Sequence, residues 1–342
     1  MPNPVSPIER PKAPWWQRLL PFAAREAAPD AEVVFPPGFL ESLERLRVAA
    51  LKAAGGGLHE GHRLGAFRGG QLEFHDHRGY SPGDDLRYLD WSLYARLGRP
   101  FVKEFAREEA GCLHLLLDAT PSMQLGRPSK WTFARRLAAL FGHVAWKAHD
   151  LVHACAFRGP GREITRYPAR GARPSSTAFV DWLRRERLAE TAADAAADAS
   201  APARAEAGAL NEAVRAFLRS GPPRGHVFVI GDFWQEEAEL AESIRLLGAA
   251  GHDVAGIHVL AAEELLPPET GPVRVLNLEA AGELELTLTP AALARYAAEL
   301  DAHAQAVQRI FRRRGGLYLH ERSDTPLEKV LIQTLRRRRW VA

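Results

Sequence analysis

Apolar positions along the chain fall into short unbroken runs, and stretches with helical spacing separate them. The clearest run is Cys112-Leu113-His114-Leu115-Leu116-Leu117, which ends in Asp118. A run of that length with polar ends reads as a strand buried on both faces. Leu151 to Phe157, His226 to Ile230 and Asp253 to Leu260 repeat the signature. The intervals predict helices over 130–149, 177–187, 210–218 and 236–249. Strand alternating with helix predicts an α/β fold, a doubly wound and mostly parallel sheet of Rossmann-like type with helices on both faces. Its crossovers should be right-handed.

Upstream, Phe39, Leu43, Leu46, Val48 and Leu51 predict a helix over 38–54. Gly55-Gly56-Gly57 stops it. Downstream, Val273 to Leu288 suggests one or two more strands. A helix over 290–313, a strand over 317–320 and a helix over 326–338 close the chain. Residues 1–34, rich in Pro and Ala, read as a tail. Residues 35–110 form a separate N-terminal region, and 111–342 carry the sheet. Within that region 58–110 is rich in Gly, His, Asp and Arg and reads as irregular, with one strand near Pro100 to Glu104. Ala189 to Ala207 lacks large apolar side chains and reads as an exposed insertion.

Composition narrows the class. The chain has 342 residues, 46% of them apolar, enough for a large core. Its net charge is only +3, and no specific nucleic-acid partner is expected, although Arg runs of the kind at its end can bind nucleic acid or acidic lipid. Arg312-Arg313-Arg314 and Arg336 to Arg339 read as solvated helix ends, where cations offset the helix dipole. Cys112 and Cys155 both sit inside apolar runs and read as small buried hydrophobes, not a disulfide framework. No stretch reaches the ~18 uninterrupted apolar residues of a membrane span. The Trp15-Trp16 segment is too short and Pro-broken for a surface anchor. The expected location is the cytoplasm.

Ligands of doubly wound sheets gather at the carboxyl ends of the strands, near the point where strand order reverses. Two carboxylates occupy such ends. Asp118 opens Asp118-Ala119-Thr120-Pro121-Ser122, a D-x-T-x-S segment. Asp232 closes Val229-Ile230-Gly231-Asp232. A spacing of two puts Asp118, Thr120 and Ser122 on one side of an extended loop. Their hard oxygens suit Mg²⁺ or Mn²⁺. The plainer alternative makes Asp118 an N-cap and Ser122 a turn residue.

Further residues carry a resemblance. Glu73-Phe74, Arg78-Gly79-Tyr80, Pro82-Gly83-Asp84-Asp85, Arg87, Asp90-Trp91, Ala95-Arg96 and Val102-Lys103-Glu104 lead into Asp118 to Met123, Lys130 and Gly231-Asp232-Phe233. Over about residues 58–260 this pattern resembles the bacterial "domain of unknown function 58" family. The resemblance implies a von Willebrand factor A-like fold, a metal-ion-dependent adhesion site and partnership with MoxR-type AAA+ ATPases. Such sites open D-x-S-x-S, and Thr120 keeps the hydroxyl. They also carry a third-loop Thr. Here the nearest match, Ala207-Gly208-Ala209-Leu210, offers no side-chain oxygen.

The segment before the sheet has its own chemistry. Tyr80-Ser81-Pro82-Gly83 is a turn sequence. Asp84-Asp85 suits the start of a short helix. Arg78, Arg87 and Arg96 could pair with Asp84, Asp85 and Asp90, either as an ion-paired buttress or as a docking surface. Arg78, Tyr80, Asp84, Asp85, Arg87, Asp90, Trp91 and Arg96 are the candidate partner-binding residues. His59, His62, His75 and His77 have transition-metal spacing, but no H-E-x-x-H pattern completes it, and surface histidines are the simpler reading. There is no phosphate-binding loop and no G-x-S-x-G elbow. The expectation is a non-catalytic interaction module. The alternatives are a metal-dependent hydrolase and a scaffold whose metal site is vestigial.

Overall fold

The computed structural model describes residues 34–53, 72–107, 111–168, 174–189, 208–265, 271–276 and 283–337. The expected tail, the glycine stop and the Ala-rich insertion beyond residue 189 lie outside them.

Six strands form the central sheet: β3 (Cys112–Asp118), β4 (Leu151–Phe157), β5 (Thr165–Tyr167), β6 (His226–Gly231), β7 (Asp253–Leu260) and β10 (Leu317–Arg322). Their order is β10-β7-β6-β3-β4-β5. All neighbours are parallel except β4 and β5. The doubly wound expectation is therefore met, with one short antiparallel edge. After β3 the chain winds outward to β4, then returns to lay β6 on the other flank of β3. Strand order thus reverses between β3 and β6, where Asp118 and Asp232 end their strands.

Helices cover both faces. On one lie α1 (Phe39–Ala53), α3 (Lys130–Lys147), α4 (Ser176–Arg185) and α9 (Leu327–Arg337). On the other lie α5 (Ala209–Arg219), α6 (Glu237–Ala249) and α8 (Pro290–Arg312). Alternation along β3 feeds both cores. Leu113, Leu115 and Leu117 pack toward α3, and Leu116 joins Val214 and Leu247 opposite. Helix α3 is the central element. Ser129 Oγ caps it by accepting the Thr132 N–H at 3.1 Å, and nearly its whole length is buried. Phe35, Phe39 and Leu43 belong to the same core as β3 and α3. The expected boundary at residue 110 is therefore corrected: α1 packs as part of the sheet domain, because its apolar stripe is covered there.

Two antiparallel hairpin-like pairs stand outside the main sheet. One joins β1 (Leu72–Gly79) to β2 (Phe101–Arg107). The other joins β8 (Gly271–Leu276) to β9 (Glu283–Leu288). The segment read as mostly irregular thus contains a second strand. It also contains α2 (Trp91–Leu97). A four-residue helix, α7 (Ala262–Leu265), follows β7.

Close packing fixes the spacing of α8 on the sheet. A Cβ added at Gly256 of β7 would lie 2.4 Å from the Phe311 ring. Phe311 is fully buried and cannot yield without shifting α8. Gly256→Ala is expected to cost about 1–3 kcal/mol through overpacking, read as a lower urea midpoint. An unchanged midpoint would mean that α8 is not pressed against β7.

Candidate functional site

Strands β3 and β6 deliver their terminal acids to one place. Leu117 pairs with Ile230, so Asp118 faces the end of β6. Contact there is tight: a Cβ on Gly231 would stand 2.9 Å from Asp118 Oδ2. Only glycine lets the two strand ends approach this closely. Asp118 Oδ1 accepts the Thr120 N–H at 3.0 Å and the Thr120 hydroxyl at 2.6 Å. Thr120 Oγ1 lies 3.1 Å from Ser122 Oγ. The D-x-T-x-S segment is therefore a closed hydrogen-bonded loop, and Pro121 starts a 3₁₀ turn inside it. Just past Asp232, Phe233 adopts a left-handed backbone (φ 53°). That conformation is rare for a bulky residue and marks a sharp turn at the strand end.

Two further residues complete the cluster, and neither was expected in it. Lys130, the first residue of α3, is wholly buried. Its ammonium donates to Asp232 Oδ2 at 2.8 Å and to Glu264 Oε1 at 2.7 Å. Glu264 comes from α7, beyond the end of β7. Its second oxygen accepts the Ala261 N–H at 2.6 Å, and its backbone carbonyl accepts the Tyr296 hydroxyl at 2.8 Å. Burial alone would discharge the lysine, but Asp232 and Glu264 outweigh it and raise its pKa above the ordinary value. Lys130 is thus held as a cation against Asp232 and Glu264, although burial pushes the Glu264 carboxyl upward.

This arrangement bears directly on the expected Mg²⁺ or Mn²⁺. An adhesion-type ion needs Asp232 among its ligands or their water partners, and it needs an open position facing solvent. Here an ammonium already bonds Asp232. Asp118, Thr120, Ser122, Lys130, Asp232 and Glu264 are all at most 6% exposed. In the third-loop stretch, Gly208 precedes α5 and Ala209 and Leu210 open it, and none supplies a side-chain oxygen. The residues present do not fit a divalent cation with an open coordination position.

The signature segment behaves differently. Arg78 bonds Asp84 at 2.8 Å, and this contact lowers the Asp84 pKa. The Arg87 guanidinium holds both oxygens of Asp85, at 2.9 and 2.6 Å through the Oδ2 side. The third expected pair is corrected. Asp90 bonds His77 at 3.0 Å and lies 3.5 Å from Lys103, not beside Arg96. Asp90 is the N-cap of α2, accepting the Leu93 N–H at 3.0 Å, whereas Arg96 stands in the last turn. Six residues of rise, roughly 9 Å, separate them along the axis. The His77 contact above all, with the cap, brings the Asp90 carboxyl down to about 2. Tyr80 is tied by its backbone N–H to the Pro100 carbonyl at 3.0 Å. Of the four histidines with metal-like spacing, the side chains of His59, His62 and His75 lie outside the described residues, and His77 bonds Asp90.

Over this pinned scaffold, apolar side chains face outward. Leu86, Tyr88, Trp91, Tyr94 and Leu97 are 38–66% exposed. Among the described residues, Leu151 is the one other large hydrophobic exposed to that degree. The Trp91 and Tyr94 rings meet edge to face with centroids 6.2 Å apart. Trp91 was expected as a contact residue; the four apolar neighbours were not. Their signal was present in the sequence as apolar residues in a segment otherwise rich in charge.

Sequence comparison assigns the family. The family model described as "Protein of unknown function DUF58" matches residues 76–306. Uncharacterized protein Rv1480 of Mycobacterium tuberculosis is 27% identical over 304 residues, covering 85% of this chain and 90% of its own. Uncharacterized protein Mb1516 of Mycobacterium bovis matches equally, at 27% over the same shares. Among solved structures, the conserved hypothetical protein BatB from Bacteroides thetaiotaomicron aligns at 14% identity and a TM-score of 0.39. That alignment covers 67% of this chain and 98% of BatB.

Proposed function

The chain belongs to the DUF58 family, and we propose that it is a non-catalytic interaction module that docks a partner on the surface formed by residues 78–97. The observation that carries this reading is the concentration of exposed Leu86, Tyr88, Trp91, Tyr94 and Leu97 in one twelve-residue stretch. Grouped exposed hydrophobics of this kind mark contact sites. Trp, Tyr and Arg are the side chains that dominate binding energy at interfaces. Arg78, Arg87, Asp84 and Asp85 supply a polar rim, already ion-paired and so pre-organised. The partner is a MoxR-type AAA+ ATPase, as the family resemblance implies. The strand-end cluster acts as a closed structural core, a vestigial metal site in which Lys130 supplies the positive charge. Neither cysteine serves as a nucleophile: burial pushes Cys112 and Cys155 up to about 12.

The test is a pull-down with the full chain from a lysate of its source organism, with Mg²⁺ and with EDTA. An AAA+ ATPase retained in both is the expected result. With that ATPase purified, Trp91→Ala is expected to weaken binding by about 2 kcal/mol, roughly thirtyfold. Trp91 is 66% exposed, so its truncation leaves the fold intact. Capture that vanishes in EDTA while Trp91→Ala binds normally would move the contact to the strand-end site. Absence of any ATPase would remove the partner.

A further inference from the structure

A second cluster lies at the opposite end of the sheet, where β3 and β4 begin. Cys112 and His114 are two apart on β3 and so share a face. His153 of β4 is the register partner of His114. Cys112 Sγ lies 3.5 Å from His153 Nδ1, and one ligand atom from each of the three residues falls within 4.8 Å of the others. We propose that Cys112, His114 and His153 form a binding site for a thiolate- and imidazole-preferring cation of the Zn²⁺ class.

Histidine 114 is set up as a ligand. Its Nε2 stands 2.9 Å from the Pro223 carbonyl oxygen, which can only accept. The ring proton therefore sits on Nε2, and Nδ1 carries the lone pair. That Nδ1 is buried with no hydrogen-bond partner, in a side chain 1% exposed. An imidazole that donates one N–H to a backbone carbonyl and turns the other nitrogen to a cation is the usual outer-sphere arrangement in metal sites. Leaving such an atom unpaired otherwise carries the full desolvation penalty of a buried polar group. His252 adds a fourth candidate. Its ring lies 5.3 Å from that of His114, and its Nδ1 is likewise buried without a partner.

The donor chemistry selects the ion. One thiol and two or three imidazoles suit Zn²⁺, and Mg²⁺ prefers oxygen. Closed tetrahedral ligation sets ligand atoms about 3.3–3.8 Å apart, given Zn–N ~2.0 Å and Zn–S ~2.3 Å. The Cys112–His153 pair already has that spacing, and the third ligand atom lies within 4.8 Å of both. A cleft of about 270 Å³ lined by His153, Phe217, Pro222 and Pro223 opens at the His153 member of the cluster. Burial, the leading cause, depresses His114 to about 3 and lowers His153 and His252, so all three are neutral near pH 7. The Cys112 thiol, by contrast, must give up its proton to the solvent when the metal–sulfur bond forms.

The experiment is calorimetric titration of the full chain with Zn²⁺ in two buffers of different ionisation enthalpy, alongside Co²⁺ absorption spectra. The expected result is one equivalent bound and one proton released. A thiolate-to-cobalt charge-transfer band should accompany Co²⁺. Cys112→Ser and His153→Gln should each lose at least about 10–100-fold in affinity, since even outer-sphere partners cost that much. Cys112→Ala keeps the apolar packing and serves if the serine variant folds poorly. No stoichiometric uptake overturns the proposal. So does uptake that these variants leave unchanged, which would place the metal elsewhere, as at the histidines between 59 and 77.

Discussion

Lys130→Met is expected to destabilise the protein by about 3–5 kcal/mol, the usual cost of removing one partner from a buried ion pair. Methionine nearly matches the lysine stem in volume, so packing changes little. What changes is that Asp232 and Glu264, 2% and 3% exposed, lose the ammonium that bonds both. At about 2–4 °C per kcal/mol for a chain this large, the melting temperature should drop by roughly 6–20 °C. Neutralising the carboxylates should reverse much of the loss. Buried ion pairs are weak sources of net stability, and the penalty lies in leaving one charge alone. Lys130→Met combined with Asp232→Asn and Glu264→Gln is therefore expected to be more stable than Lys130→Met alone. If the single variant unfolds within about 1 kcal/mol of the parent protein, the lysine is not the charge that holds the strand ends together.

That cluster also shows how far the sequence can be read. Asp118 and Asp232 were legible because each follows an unbroken apolar run, and a buried parallel strand must end where such a run ends. Lys130 was legible only as a feature of the family pattern. A lysine opening a helix ordinarily points to solvent, and nothing local says that its tip meets a carboxylate 134 residues away. Glu264 has the same difficulty, since it is one of two adjacent acids and only the turn into α7 selects between them. The parallel strands and the long helices were legible from periodicity alone. The short elements were not. Thr165–Tyr167 is three residues long, below the length at which alternation can be recognised. The strand Leu72–Gly79 runs into His, Asp, His and Arg, and it exists through pairing with Phe101–Arg107 rather than through its own pattern. Helix α2 is hidden because Asp90, its cap, reads equally well as a partner for a nearby arginine.

The two ends of the sheet therefore differ in charge logic. The carboxyl end holds a fixed internal cation and acids. The amino end holds a thiol and neutral imidazoles, whose donors remain available. On the α8 side of the sheet, His258 and His303 are also buried, with His258 Nδ1 2.7 Å from the Tyr318 hydroxyl and His303 Nε2 donating to the Phe233 carbonyl at 3.0 Å.

Acidification should consequently unfold the protein well above the range where carboxylates titrate. His114, His252, His258 and His303 are 1%, 6%, 0% and 4% exposed. Burial lowers the pKa of each, His114 to about 3 and His258 well below its ordinary value. In the unfolded chain all four titrate near ~6.5. Below that pH the unfolded state binds protons that the native state refuses. Stability is thus fully present above ~6.5 and falls as pH drops toward the folded values. His114 and His258, whose pKa values fall furthest, each contribute about 1.4 kcal/mol by one unit below ~6.5, about 3 kcal/mol together, and His252 and His303 add in the same direction. Urea unfolding between about pH 7.5 and 5.5, with EDTA present to hold metal away, should show the midpoint dropping steeply. His114→Gln keeps a donor for the Pro223 carbonyl and removes one titrating group. It should flatten the pH slope by about one proton without abolishing it. A midpoint that stays level across this range would mean that the buried imidazoles accept protons in the native state, and their reading as neutral donors would fail with it.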